Sequence, residues 1–394
     1  MQSTQPLLHP FNAGQDELGY ASALRHAFNT DLEGCRQWWE LAGHDHVRAV
    51  RSGRRTVGGL VLIPMKQNFL GRTLSCCGIA GVAIGPESKG QGLASKMMAE
   101  SLAEQHAAGF AVSALYPSTA ALYRSVGYEF AGTRLRWTVR FADFPRPTSA
   151  TEVRPMRDGD LEFVESCAKE RAATEHGHME RGTYLWRRAL EPKGQRASGW
   201  IFGSHANPEG YAVLHTPKAH EGDFETLELA DWGARTPAAF EGLAGLLAGY
   251  GTVWKKLSWY GSPGDPLFLR LREHRFEAEV SESWMLRLVD APKALAARGY
   301  PAGLHADLEL QIEDPILSQN SGNFLLRVVG GRAKLEPGGA GKLRASIGGL
   351  SALFSGYASA EHLALLGQVS GDAETLRRAT GMFASPPPNL LEFF

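Results

Sequence analysis

Apolar residues recur at helical spacing from residue 16 to 42, a stretch rich in Ala, Leu and Trp, and after Val47 they give way to two apolar runs joined by turn residues, ending near Ala83. The pattern predicts a helix followed by a β-meander. The run 74–84, LSCCGIAGVAI, then feeds Gly85-Pro86, a charged and glycine-rich loop, and a long helix over 93–108. In that helix Leu93 and Met97, and Met98 and Leu102, stand four apart on one face, and Gly109 supplies a left-handed stop. A strand over 110–116 follows.

The proline-rich text FPRPT at 144–148 and the fresh start at Val153 read as a linker into a second unit. That unit repeats the first in outline: helical residues 158–190, strands near 198–216 and 224–232, a helix over 237–249 and a strand over 253–260. An internal duplication follows from this order. A further boundary falls near Asp290-Ala-Pro292, beyond which 306–313 and 324–335 alternate as strands before helical stretches. The expected division is therefore 1–148, 149–290 and 291–394, two α/β units and one α+β unit.

Composition narrows the function. Among 394 residues, 41 basic and 42 acidic side chains leave a formal charge of −1, so the electrostatic footprint of a nucleic-acid binder is missing. The length allows two or three domains at roughly 150 residues each, and 43% apolar residues are enough for each to bury a core. No window approaches the ~18 consecutive apolar residues of a membrane span, and the first residues lack the pattern of a secretory signal. A cytoplasmic location is expected. Cys35, Cys76, Cys77 and Cys167 offer no C-x-x-C spacing and read as reduced thiols; His44-x-His46 and His176-x-His178 lack an evident third ligand, so no metal site is expected.

Glycine is in excess, with 45 residues against a usual share of about 7%. Its most telling cluster is the loop Lys89-Gly90-Gln91-Gly92-Leu93-Ala94. The first amides of a helix have no intrahelical partner, the macrodipole favours an anion there, and glycine admits close backbone approach, so this loop suits a diphosphate. A tight strand-to-helix turn alone also calls for glycine. The stretch resembles the acetyl-CoA-binding motif of the GCN5-related N-acetyltransferases (GNAT), Q/R-x-x-G-x-G/A, with Lys89 in place of Gln or Arg. One helix and one strand later, Leu122-Tyr123-Arg124-Ser125-Val126-Gly127-Tyr128 resembles that family's L-Y-x-x-x-G-[FY] segment. The resemblance implies that amides of residues 89–94 hold the diphosphate of acetyl-CoA, the acyl donor, and that the backbone of Val82 and Ile84 pairs with pantetheine.

In length and order the whole chain resembles the Eis-like (enhanced intracellular survival) branch: tandem GNAT domains followed by a sterol-carrier-like α+β domain. In that branch the second GNAT domain is degenerate, and here Gly233-Ala-Arg-Thr236 follows the matching strand without the G-x-G/A pattern. The resemblance implies one active site per chain, a cationic amine acceptor (a polyamine, an aminoglycoside-like molecule or a lysine side chain) and a homo-oligomer, up to a hexamer.

The chemistry requires a proton acceptor and a proton donor. An alkyl amine with a pKa near ~10.4 is charged at pH 7 and must lose a proton to attack a thioester, and the departing thiolate gains from receiving one. By its matched position Tyr123 resembles the family's general acid; it also suits a core aromatic. In the Eis-like branch the base is the C-terminal carboxylate, which here belongs to Phe394. The strut Ser385-Pro-Pro-Pro388 and the apolar end Asn389-Leu-Leu-Glu-Phe-Phe394 fit a docked tail, whether for chemistry or for stability. Ser118 stands where the family has a hydroxyl near the cofactor, or caps the following helix. Asp31 and Glu33 receive no role, and Phe28 and Trp38-Trp39 read as core or pocket wall. Two other functions fit the same sequence: a non-catalytic acyl-CoA sensor or lipid carrier, and transfer of aminoacyl or longer acyl groups.

Overall fold

The computed structural model of the protein describes residues 7–148, 151–191, 196–216 and 225–394. The junction expected after Thr148 runs into 149–150, and the strand start expected at 224 also lies outside the described residues. By contacts the chain divides into two compact units, Met1–Gly132 with Ser283–Pro386 and Phe394, and Thr133–Glu282 with Pro387–Phe393.

The first unit opens with β1 (Leu8–Pro10), α1 (Ala13–Phe28) and α2 (Leu32–Ala42). The single helical run expected over 16–42 is broken because Asn29 adopts the left-handed conformation, φ 55°, and the Asp31 carboxylate accepts from the Gly34 amide at 2.7 Å, starting a new helix. Then come β2 (Val47–Ser52), β3 (Arg55–Phe69), β4 (Arg72–Ile84), α3 (Leu93–Ala107), β5 (Val112–Leu115), α4 (Ala120–Arg124) and β6 (Glu129–Arg140), the last passing into the second unit. β1 to β4 pair antiparallel in sequence order, while β4 and β5 pair parallel. α3 buries Met97, Met98 and Leu102 against Cys77, Ile79 and Leu115, as its apolar spacing predicts.

The second unit holds β7 (Val153–Pro155), α5 (Leu161–Thr174), β8 (Met179–Glu180), α6 (Thr183–Leu190), β9 (Ser198–Gly203), β10 (Pro208–His215), β11 (Thr226–Ala234), α7 (Pro237–Tyr250), β12 (Lys256–Tyr260), α8 (Pro266–Leu269) and the start of β13 (Phe276–Leu288). The helical text of 158–190 is thus two helices separated by β8. β11 and β12 pair parallel around α7, as β4 and β5 do around α3, and Arg136–Arg140 of β6 run antiparallel to β12. Trp137, Trp259, Phe268 and Phe276 pack in the core of this unit.

The end of β13 returns to the first unit, where Met285–Leu288 pair antiparallel with β5. After it come α9 (Ala291–Ala297), β14 (His305–Glu313), β15 (Gly322–Val329), β16 (Arg332–Pro337), β17 (Leu343–Ser346), α10 (Ile347–Ser355), α11 (Ala360–Leu365), β18 (Val369–Ser370) and α12 (Ala373–Phe383). These five strands form their own sheet in the order β16-β15-β14-β17-β18, the α+β unit expected. The fully buried Arg287 of β13 pairs with the buried Asp314 at 2.7 Å, tying this sheet to the strand before it.

Candidate active site

β4 is a strand that loses its neighbour midway. Its parallel pairing with β5 runs from Cys76 and Val112 to Ile79 and Leu115, and then β5 ends while β4 continues to Ile84. On the β3 side, Gly59 pairs with Ala83 and Val61 with Ala80, so Gly81 and Val82 face Leu60 alone in a β-bulge that bends the strand away. Gly81 sits at φ 61°, where a Cβ would meet the Trp38 ring at 2.3 Å, and the Tyr20 hydroxyl donates to the Gly81 carbonyl at 2.8 Å. The two N-terminal helices therefore pin the bulge from which Val82 and Ile84 present unpaired backbone.

Beyond the strand, a short turn over Pro86–Ser88 leads into the loop. Gly90 and Gly92 take φ 76° and 73°, and an added Cβ at either would meet open space. Among the described residues, the amides of Gly90 through Ser95 donate to no backbone carbonyl, while the Lys96 amide closes the first turn on Gly92. Lys89 differs from its neighbours, because its amide donates to the Pro86 carbonyl at 3.3 Å and only its exposed side chain can reach an anion. Gln91 is exposed and Leu93 and Ala94 are half-buried at the helix start. The donors, the dipole and the open space fit a diphosphate.

Tyr123 is buried in the apolar cluster beneath α3, its ring edge-on to Tyr128 at 6.2 Å. Burial pushes its phenol above the ordinary value, and a hydrogen bond with the Ser118 side chain opposes that shift. The phenol thus keeps its proton at neutral pH, as a donor must. Ser118 does not cap the helix: the cap is Thr119, whose side chain makes no capping bond.

Phe394 lies on the opposite face. Side chains alternate along a strand, so Cys77 and Ile79 point toward α3 while Gly78 between them points away. There the Phe394 ring comes within 3.1 Å of where a Gly78 Cβ would stand, and it packs 5.5 Å from the Tyr116 ring. Phe394 is buried and Phe393 is exposed. The residues before it are held in the second unit: Asn389 bridges to Thr133, the Leu391 carbonyl accepts from Arg134 at 2.9 Å, and Glu392 pairs with Arg181 at 2.7 Å.

Tyr20, Met65, Gly78, Gly81 and Tyr116 escaped the sequence reading. The glycine spacing of GIAG within a strand is the one signal that could have marked the bulge. Asp31 is a helix cap and Glu33 is exposed, Trp39 is buried and Phe28 is exposed. No group of three or more metal-ligating side chains occurs among the described residues.

In the second unit, a cavity of about 370 Å³ is lined by Arg171, His178, Arg181, Tyr211, Asp231 and Glu392 among others. Its floor is engaged with itself: Asp231 takes an ion pair from Arg181 and a hydrogen bond from the Tyr211 hydroxyl at 2.7 Å, with Arg171 at 3.7 Å.

Comparison with known proteins agrees with this layout. Residues 14–131 and 177–288 each match an acetyltransferase (GNAT) domain, and 291–391 match a sterol carrier protein domain. An uncharacterized N-acetyltransferase of Streptomyces griseus is 26% identical over 332 residues, covering 76% of each chain. Crystal structures of GCN5-related N-acetyltransferases from Anabaena variabilis (TM-score 0.91, 27% identity, 98% of this chain and 99% of that one) and Kribbella flavida (0.86, 26%, 98% of both) superpose along the whole chain. Eis1 from Mycobacterium abscessus shares the fold at 18% identity, with a TM-score of 0.75 over 90% of this chain and 92% of that one.

Proposed function

From the premise that a chain of two GNAT domains followed by a sterol-carrier domain is an acetyl-CoA-dependent N-acetyltransferase, we propose that it works in the Eis-like manner, with one active site, in the first GNAT domain, acting on a cationic amine. The observation that carries the reading is the row of undonated amides from Gly90 to Ser95 at the end of a strand stripped of its neighbour. The three-domain division at 148 and 290, and assembly into a symmetric oligomer, belong to the same proposal.

The acyl donor lays its diphosphate on the amides of 90–95, with Lys89 reaching it by its side chain, and its pantetheine along Val82 and Ile84. The amine nitrogen attacks the thioester carbon, its proton passing to the terminal carboxylate of Phe394. The N–C bond forms, the C–S bond breaks, and the thiolate takes the phenol proton of Tyr123, which Ser118 orients. Support comes from the placement of Tyr123 and Phe394 on opposite faces of β4 near its parting from β5, and from the burial that keeps the phenol protonated.

The test is release of CoA thiol with a panel of polyamines, aminoglycosides and lysine peptides. Tyr123→Phe and removal of Phe394 should each lower kcat by about 10²–10⁴-fold, the usual contribution of a positioned acid or base, with KM for acetyl-CoA little changed. Full turnover in both variants overturns the mechanism. Tight CoA binding with no transfer to any amine would make the chain an acyl-CoA sensor instead.

A further inference from the structure

The donor's acyl group must end where β4 and β5 meet. From Ile84 back to Ile79 is five residues, at most about 16 Å at 3.3 Å per residue and less across the bulge at Gly81–Val82. A chain laid along that edge from the loop arrives at Gly78–Ile79 and Ala114–Leu115, the last paired residues. What stands behind this point is apolar and close. A Cβ at Gly78 would lie 1.7 Å from the Met65 terminal methyl and 3.1 Å from the Phe394 ring, and the Tyr116 ring packs against that same ring at 5.5 Å. Met65 and Phe394 are both buried. No space remains there even for one extra methyl group on the backbone.

We propose that Met65 and the side chains of Phe394 and Tyr116, closing over Gly78, form an acyl stop that restricts the donor to short acyl groups. The inference rests on the proposed donor placement. It concerns the ring of Phe394, not its carboxylate. Each methylene that a tight apolar pocket cannot accept costs roughly 10-fold or more in discrimination.

The experiment is calorimetric titration of free CoA, acetyl-CoA, butyryl-CoA and hexanoyl-CoA into the wild type, Met65→Ala, Met65→Leu and Phe394→Ala. The wild type should bind free CoA and acetyl-CoA alike and butyryl-CoA at least tenfold more weakly. Met65→Ala should recover butyryl-CoA at least tenfold relative to acetyl-CoA, Met65→Leu should keep the wild-type order, and Phe394→Ala should shift the same ratio in the direction of Met65→Ala. Chain-length profiles that coincide in the wild type and both alanine variants overturn the acyl stop while leaving the donor site intact. Free CoA bound equally well after Gly90→Val/Gly92→Val overturns the donor placement itself.

Discussion

The chain contains the same strand-helix-strand arrangement twice, and the two copies differ at the start of the helix. β4 runs five residues past its last partner on β5, and β11 runs five residues past its last partner on β12, from Leu229 to Ala234. Each strand also carries a bulge near the parting, Gly81–Val82 in one and Ala230 in the other. Beyond that the copies diverge. Eight residues separate β4 from α3, but two separate β11 from α7. In the second copy Pro237 has no amide to offer, the Thr236 hydroxyl accepts from the Ala239 amide at 3.1 Å, and Arg235 is paired with Glu170. Beside it Arg171 lies over Trp232 at 4.1 Å, donates to its carbonyl at 2.8 Å and reaches Asp265 at 3.4 Å. The same backbone plan thus offers an open row of donors in one place and a capped helix start beside an ion-paired plug in the other. On the proposed reading, the capacity to hold an anion lies in a few loop residues rather than in the fold.

The largest expected effect tests the plug. Asp231→Ala leaves Arg181 and Arg171 facing a lost carboxylate in a buried site and should cost about 3–5 kcal/mol of stability, read by denaturant unfolding. The acid limb sharpens this. Burial raises the Asp231 pKa, but the Arg181 charge and hydrogen bond outweigh it and the net shift is downward. Its stabilising contribution is therefore complete above the ordinary carboxylate value and is lost as pH falls through the lowered folded value, so the gap in stability between the wild type and Asp231→Ala should narrow steadily as the solution is acidified past the ordinary carboxylate range. A variant as stable as the wild type at pH 7 would mean that the plug holds nothing.

Gly90→Val/Gly92→Val comes next. Valine is strained at both positive φ values, and loss of even two charge-assisted hydrogen bonds at about 1.5–3 kcal/mol each weakens acetyl-CoA binding by roughly 100-fold or more. Unchanged affinity would erase the contrast between the two helix starts. The smallest effect belongs to the capped copy: Thr236→Ala should lose about 1 kcal/mol of stability and leave acetyl-CoA affinity and the number of molecules bound per chain unchanged. A second bound CoA after this change would show that the cap alone had closed the site.

Local chemistry explains what could be read in advance. The glycines at 90 and 92 mark their left-handed backbone directly, the apolar spacing of α3 fixes its buried face, and the spacing to Tyr123 follows from one helix and one strand. The break at Asn29 was also written locally, in Asn-Thr-Asp, but the apolar period on either side masked it. Long-range facts left no such mark. The bond from Tyr20 to Gly81 spans 61 positions, and nothing in Met65 announces that its methyl lies over Gly78. The choice of β13 as the neighbour of β5 depends on which strand edges remain open once the sheet has formed, which periodicity does not encode.

That last pairing sets a timetable for the newborn chain. β5 ends at Leu115, whereas the segment that covers its free edge starts at Ser283, about 170 residues later. At 5–20 residues per second the ribosome needs roughly 8–34 seconds to supply it. For that interval the edge of β5 has no β13 to pair with, which leaves it open to other strands.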